Sequence, residues 1–152
     1  MEWTTLLGAL LGAAIAMGTS LMVEMRKHRH DVAAEWRRTR RELYAAFLTS
    51  LAQARAELLD LAANTGLSEA ERSQTAWRVF ARCYEVRHQL ELFAPPEVVD
   101  PALAYFRTVR GLRDAVRGGL RREDPEREHY TDRVKVALET TREAMRADMK
   151  PS

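Results

Sequence analysis

A chain of 152 residues with 24 Lys or Arg, 22 Asp or Glu and one cysteine has room for a single compact core with a short segment to spare. Its formal net charge of +2 is too small to suggest a general nucleic-acid binder, and Cys83 alone can form no internal disulfide, which suits a reducing compartment. There is no P-loop, no G-x-S-x-G, no H-E-x-x-H and no second cysteine for a zinc site, so the expectation is a binding protein with no enzymatic activity, no cofactor and no nucleic-acid partner.

From Trp3 to Val23 no residue is charged, and as a helix rising about 1.5 Å per residue this run spans roughly 31 Å, close to the hydrocarbon thickness of a bilayer. A secretory signal carries its positive charge before the apolar run, whereas here only Glu2 precedes it and the basic block follows. The run therefore reads as a retained transmembrane anchor over residues 1–23. The rival readings are a signal cut after Ala14-Ile15-Ala16 and a buried core helix.

Cations set the orientation, because Lys and Arg gather on the cytoplasmic side of a span. None precedes the run, while Arg26, Lys27, Arg29, Arg37, Arg38, Arg40 and Arg41 follow it. The expectation is an N-terminus facing outward from a bacterial inner membrane and a cytoplasmic C-terminal domain. Residues 24–35 would form a basic helical stalk. Beyond Glu42, acidic and basic side chains balance, so the excess charge lies beside the span.

Within the span Gly8, Gly12, Ala16 and Ser20 repeat every four residues, a small-residue strip on which two backbones can approach and the chain can self-associate. Arg26, Lys27 and Arg29 lie within about 5 to 9 Å of the span's end along a helix and are placed to meet anionic headgroups. Arg37, Arg38, Arg40 and Arg41 would sit about 21 to 27 Å away. They form either a solvated face paired with Glu35 and Glu42 or a docking patch for an acidic protein partner.

Four helices follow, with apolar residues at helical spacing throughout. The first, over about 36–63, puts Trp36, Leu43, Phe47, Leu51, Ala54, Leu58 and Leu61 on one stripe and ends at Asn64-Thr65-Gly66, where Asn64 or Gly66 can take the left-handed cap conformation. No breaker separates it from the span, which predicts one continuous helix. The second, over about 68–93, opens with Ser68 and Glu71 spaced as a capping box and carries Ala76, Val79, Cys83, Val86, Leu90 and Phe93 inward, flanked by Trp77, Phe80 and Tyr84, until Pro95-Pro96.

Asp100-Pro101 reads as an N-cap followed by proline at the first helical position, starting a third helix over about 101–118 with Ala102, Leu103, Phe106, Val109, Leu112 and Val116 inward. Arg110, Arg113, Arg117 and Arg121 follow one face of it, either as a solvated row that complements the helix dipole or as a second docking patch. Asp124-Pro125 repeats the start signal for a fourth helix over about 125–148, with Tyr130, Val134, Ala137, Leu138, Thr141 and Met145 inward. Short connections favour antiparallel neighbours, so the fold class is all-α, a cytosolic antiparallel four-helix bundle over residues 36–150.

Two E-x-x-H pairs, Glu85/His88 and Glu126/His129, bring di-iron bundles to mind. They would sit about 24 Å apart along parallel helices, so they do not form one site.

The stretch LLGALLGAAIAMGTSLMVEMRKHRH leading into WRRTRRELYAAFLTSLAQA resembles small uncharacterised single-pass membrane proteins of high-GC bacteria, with an Ala/Gly/Leu-rich span, an Arg-rich flank and an RRE-x-Y-A-x-F-L helix. The resemblance covers roughly residues 5–54. It implies an anchor and a helical domain, and no activity.

The reading that results is a membrane-tethered adaptor or scaffold that binds a protein partner at the inner membrane, as a homo-oligomer if the small-residue strip associates. The alternative is a membrane-anchored sensor or carrier holding a small apolar ligand in the bundle core, with Trp77, Phe80 and Tyr84 as candidates for its lining, although core packing is the expected role of those aromatics.

Overall fold

A computed structural model describes residues 35–150, in which all regular structure is helical: α1 (residues 35–63), α2 (Glu69–Phe93), α3 (Pro96–Arg117) and α4 (Glu126–Asp148). The span expected over 1–23 and almost all of the stalk lie outside the described residues. Among the described residues, no helix is long and apolar enough to cross a membrane. The chain divides into two units between Thr39 and Arg40. In the first, residues 35–39 are helical and exposed; everything below concerns the second unless stated.

Cross-helix contacts set the directions of the bundle. Arg113 and Arg117 of α3 reach back to Tyr84 and Ser73 of α2, Thr141 of α4 donates to the Pro101 carbonyl of α3, and Tyr44 of α1 donates to Asp148 at the end of α4. Ser73–Arg117, Pro101–Thr141 and Tyr44–Asp148 each join a position early in one helix to one late in the other, so these neighbours run antiparallel.

The local signals explain most boundaries. Ser68 Oγ accepts from the Glu71 amide at 3.3 Å while the Glu71 carboxylate accepts from the Ser68 amide at 2.9 Å, closing the expected capping box at α2. At the end of α3, Gly119 takes φ +104°; its amide donates to the Val116 carbonyl and that of Leu120 to the Ala115 carbonyl. This is a Schellman cap, and the buried Leu120 supplies its apolar contact.

Three local expectations are corrected. First, α3 begins at Pro96 rather than Pro101, with Pro95 as its N-cap, so Asp100 and Pro101 lie inside the helix. Pro95-Pro96 ends one helix and starts the next, because proline suits the first helical position; Pro101, inside the helix, denies the Glu97 carbonyl its donor and crowds that carbonyl with its ring. Second, Asp124 does not cap α4. Its carboxylate turns back to the Arg121 amide at 2.6 Å, and Pro125 is the N-cap. Third, neither Asn64 nor Gly66 is left-handed; the Asn64 side chain accepts from the Gly66 amide at 2.9 Å, an Asx turn that ends α1 without that conformation.

The core collects Leu43, Phe47, Leu51, Ala54, Leu58 and Leu61 of α1, Ala76, Cys83, Val86 and Leu90 of α2, Ala102, Phe106, Val109, Leu112 and Val116 of α3, and Val134, Thr141 and Met145 of α4. Each large apolar side chain there contributes about 1.5 to 3 kcal/mol by leaving water. Phe80, expected to flank the α2 stripe, is buried with them, and Tyr44, Val98 and Tyr105 join them, unanticipated as core. Trp36 and Phe93, expected inward, are exposed at 51% and 43%. Both lie at the outer ends of their stripes, Trp36 seven residues before the first buried position of α1 and Phe93 in the last turn of α2, where periodicity continues but packing does not.

Candidate docking surfaces

Helices α2 and α3 enclose a cluster of arginine and aromatic side chains. Phe80, Tyr84 and Phe106 pack at ring separations of 5.2 to 5.5 Å, and the Arg113 guanidinium lies 4.2 Å from the centre of the Trp77 ring and 4.9 Å from that of Phe80. Arg113 is 4% exposed. It donates to Asp114 at 3.0 and 2.7 Å and to the Tyr84 hydroxyl at 3.0 Å. A buried cation is tolerable only when so surrounded.

The expected solvated row Arg110, Arg113, Arg117 and Arg121 is therefore not one surface. Arg113 is buried, which corrects its placement on a docking face. Arg117 lies over Trp77 at 5.2 Å and donates to Ser73 at 3.1 Å, Arg121 donates to the Asn64 carbonyl at 3.2 Å, and Arg110 is half-buried. Burial at Arg113 was legible in one respect: it sits beside Leu112 between Val109 and Val116, at the edge of the apolar stripe. Arg72 was missed in the same way; it is buried and donates to the Leu67 carbonyl at 3.1 Å.

Of the three aromatics that are candidates for a ligand lining but for which core packing is expected, Phe80 and Tyr84 pack against Phe106 and Arg113. Trp77 stands at the surface, 45% exposed.

The first arginine group also separates. Arg37 and Arg38 are exposed. Arg40 instead pairs with Asp148 at 2.9 Å, the same carboxylate to which Tyr44 donates at 2.7 Å. Burial, and then the Asp148 carboxylate beside it, pushes the Tyr44 hydroxyl well above its usual pKa. Arg41 remains exposed, at one side of a groove of about 320 Å³ between α1 and α4. Tyr44 and Leu48 line the α1 wall, and Arg142, Met145, Arg146 and Met149 line the other.

Cys83 is buried and directs its thiol to the Ser50 carbonyl at 3.6 Å. Burial pushes its pKa up to about 11, which makes it an inert core group. His88 stands beside Glu91 at 3.4 Å and His129 beside the Tyr130 ring. Among the described residues, no three His, Cys, Asp or Glu side chains converge as metal ligands would. The membrane-association residues Gly8, Gly12, Ala16 and Ser20 and the headgroup residues Arg26, Lys27 and Arg29 lie outside the described residues.

Compared with known protein families, with curated proteins and with solved structures, the chain matches no family model, no curated protein and no solved structure.

Proposed function

We propose that the chain is a membrane-tethered helical adaptor. Residues 3–23 hold it in the bilayer, with Gly8, Gly12, Ala16 and Ser20 as a self-association strip. Arg26, Lys27 and Arg29 meet anionic headgroups and keep the bundle in the cytoplasm, and the bundle offers a protein partner its α2–α3 face. For the tether, the support is the uncharged run followed at once by cations.

For docking, the carrying observation is Trp77. It is a large aromatic left 45% exposed while the Arg113 and Arg117 guanidinium groups stand against it at 4.2 and 5.2 Å. Trp, Tyr and Arg are the residues that most often dominate binding energy at protein interfaces, and a ring already held in place loses little freedom on binding.

Two measurements test the reading. The full chain should stay with membranes through an alkaline carbonate wash, and recovery in the soluble fraction would remove the tether. A photo-crosslinker at the exposed neighbour Arg78 should trap a protein adduct that Trp77→Ala abolishes; an unchanged adduct would take Trp77 out of the docking surface.

A further inference from the structure

The groove between α1 and α4 is built from helices other than the one that carries Trp77. Its α1 wall is built from positions 41, 44 and 48 and its α4 wall from 142, 145, 146 and 149. These are helical stripes of i, i+3, i+7 and i, i+3, i+4, i+7, so the groove follows two helix ridges for about two turns, roughly 10 Å. Two parallel-sided ridges with an open trough between them have the form that receives the ridge of a further helix. Truncating a buried leucine to alanine leaves a void of about 150 Å³ in another protein. On that scale the groove's 320 Å³ takes about two leucine-sized side chains, as one helix supplies from adjacent turns.

The chemistry of the walls narrows the occupant. The floor is apolar and adaptable: Leu48, Met145 and Met149, with the ring of Tyr44, whose hydroxyl is already committed to Asp148. Three cations, Arg41, Arg142 and Arg146, stand at its edges. Arg142 meets Glu139 at 2.6 Å, and the nearest carboxylate at the end of α4, Asp148, is turned away to Arg40 and Tyr44. The rim thus keeps an excess of positive charge over an apolar floor.

We propose that this groove docks an acidic amphipathic helix of a partner protein, with two apolar side chains seated on Met145, Met149 and Leu48 and carboxylates on either side meeting Arg41 and the Arg142/Arg146 pair. A free acyl anion satisfies the same charges less well, because an open trough leaves half of its chain in water, whereas a helix covers floor and rim together. The site shares no helix with the Trp77 surface, so the two stand or fall separately.

The test uses the full chain in nanodiscs of neutral lipid and a fluorescent stapled peptide with leucine at i and i+4 flanked by glutamates. Anisotropy should report saturable binding that weakens with salt. Replacing the glutamates by lysines should abolish it, and Arg146→Glu and Met149→Glu should each weaken it at least ten-fold. Trp77→Ala should leave it unchanged.

Both groove substitutions fall on solvent-accessible positions, and the milder Arg41→Ala, expected to weaken binding about three-fold, guards against a folding defect. Equal binding of the lysine peptide, or indifference to Arg146→Glu and Met149→Glu, would overturn the proposal. So would saturation of the groove by laurate or anionic vesicles with no binding of the acidic peptide.

Discussion

The α2–α3 and α1–α4 faces of the bundle use the same residue type in opposite ways. On the first, Arg113 is sealed from water and its donors are taken up by Asp114 and the Tyr84 hydroxyl; it acts as a structural part that orders the aromatic side chains around it. On the second, Arg41 and Arg146 stay exposed above an apolar trough, where their charge remains available to something else. Sequence spacing puts arginines on a helix face in both cases. The difference comes from what the neighbouring helix offers: α2 brings rings and a hydroxyl, while α1 brings Leu48 and Tyr44, whose one polar atom is already engaged.

The largest expected effect tests that contrast. Arg113→Ala leaves the Tyr84 hydroxyl without its donor and opens a void beneath Trp77, so it should cost about 3 kcal/mol of unfolding free energy. Arg146→Ala, on the exposed rim, should change stability by no more than about 0.5 kcal/mol. Chemical unfolding followed by circular dichroism measures both. Similar values for the two would mean that Arg113 is not the buried keystone its contacts describe.

A second, somewhat smaller effect is set by pH. The Cys83 thiol has its pKa raised by burial from 9.0 to about 11. The folded state therefore keeps a proton that the unfolded chain releases, and the stability this represents is complete below pH 9 and drains away between pH 9 and 11. Tyr44 and Tyr105 are raised too, each chiefly by burial, and add to the decline above their ordinary value near 10. Between pH 9 and 10 the fall should belong mainly to Cys83, so Cys83→Ala should be less stable at neutral pH yet flatter over that interval. An equal slope would assign the alkaline loss elsewhere.

At the foot of the α1–α4 face, Asp148→Asn should cost about 1 to 2 kcal/mol, since it weakens the contacts of both Arg40 and Tyr44 with a carboxylate that is only 14% exposed. The same substitution leaves Trp77 untouched. A shifted native-state emission of Trp77, read with Trp3 and Trp36 replaced by Phe, would show that the faces are coupled.

Much of this architecture was legible beforehand, for identifiable reasons. Ser68 and Glu71 form a signal that needs no tertiary partner, and the Leu43–Leu61 stripe repeats often enough to define one face. Pro96 was not legible as a helix start because Asp100-Pro101 offered a more familiar signal five residues later, and both prolines are compatible with a single helix. The place of Arg113 at the edge of an apolar stripe hinted at its burial, but neither that nor the burial of Arg72 could be settled from spacing, because both depend on partners from other segments, the α2 side chains and the Leu67 carbonyl. Of the candidate sites, the spacing of Arg142, Met145, Arg146 and Met149 was visible, but only the packing of α1 against α4 turns it into a groove.

The smallest effect has the opposite sign and examines the core that both faces share. Tyr105 is fully buried, its ring 6.4 Å from that of Phe47, and its hydroxyl has no hydrogen-bond partner. Arg113 shows that this bundle can bury a far more polar group when donors and acceptors meet. At Tyr105 they do not, and an unmet hydroxyl typically costs about 1 to 3 kcal/mol. Tyr105→Phe removes the oxygen while keeping the ring, so the protein should gain about 1 kcal/mol, less than the full penalty because the vacated volume weakens packing. A loss of stability instead would mean that the hydroxyl has a partner in solution, such as an ordered water, and that burial on α3 obeys the same rule of satisfaction at both positions.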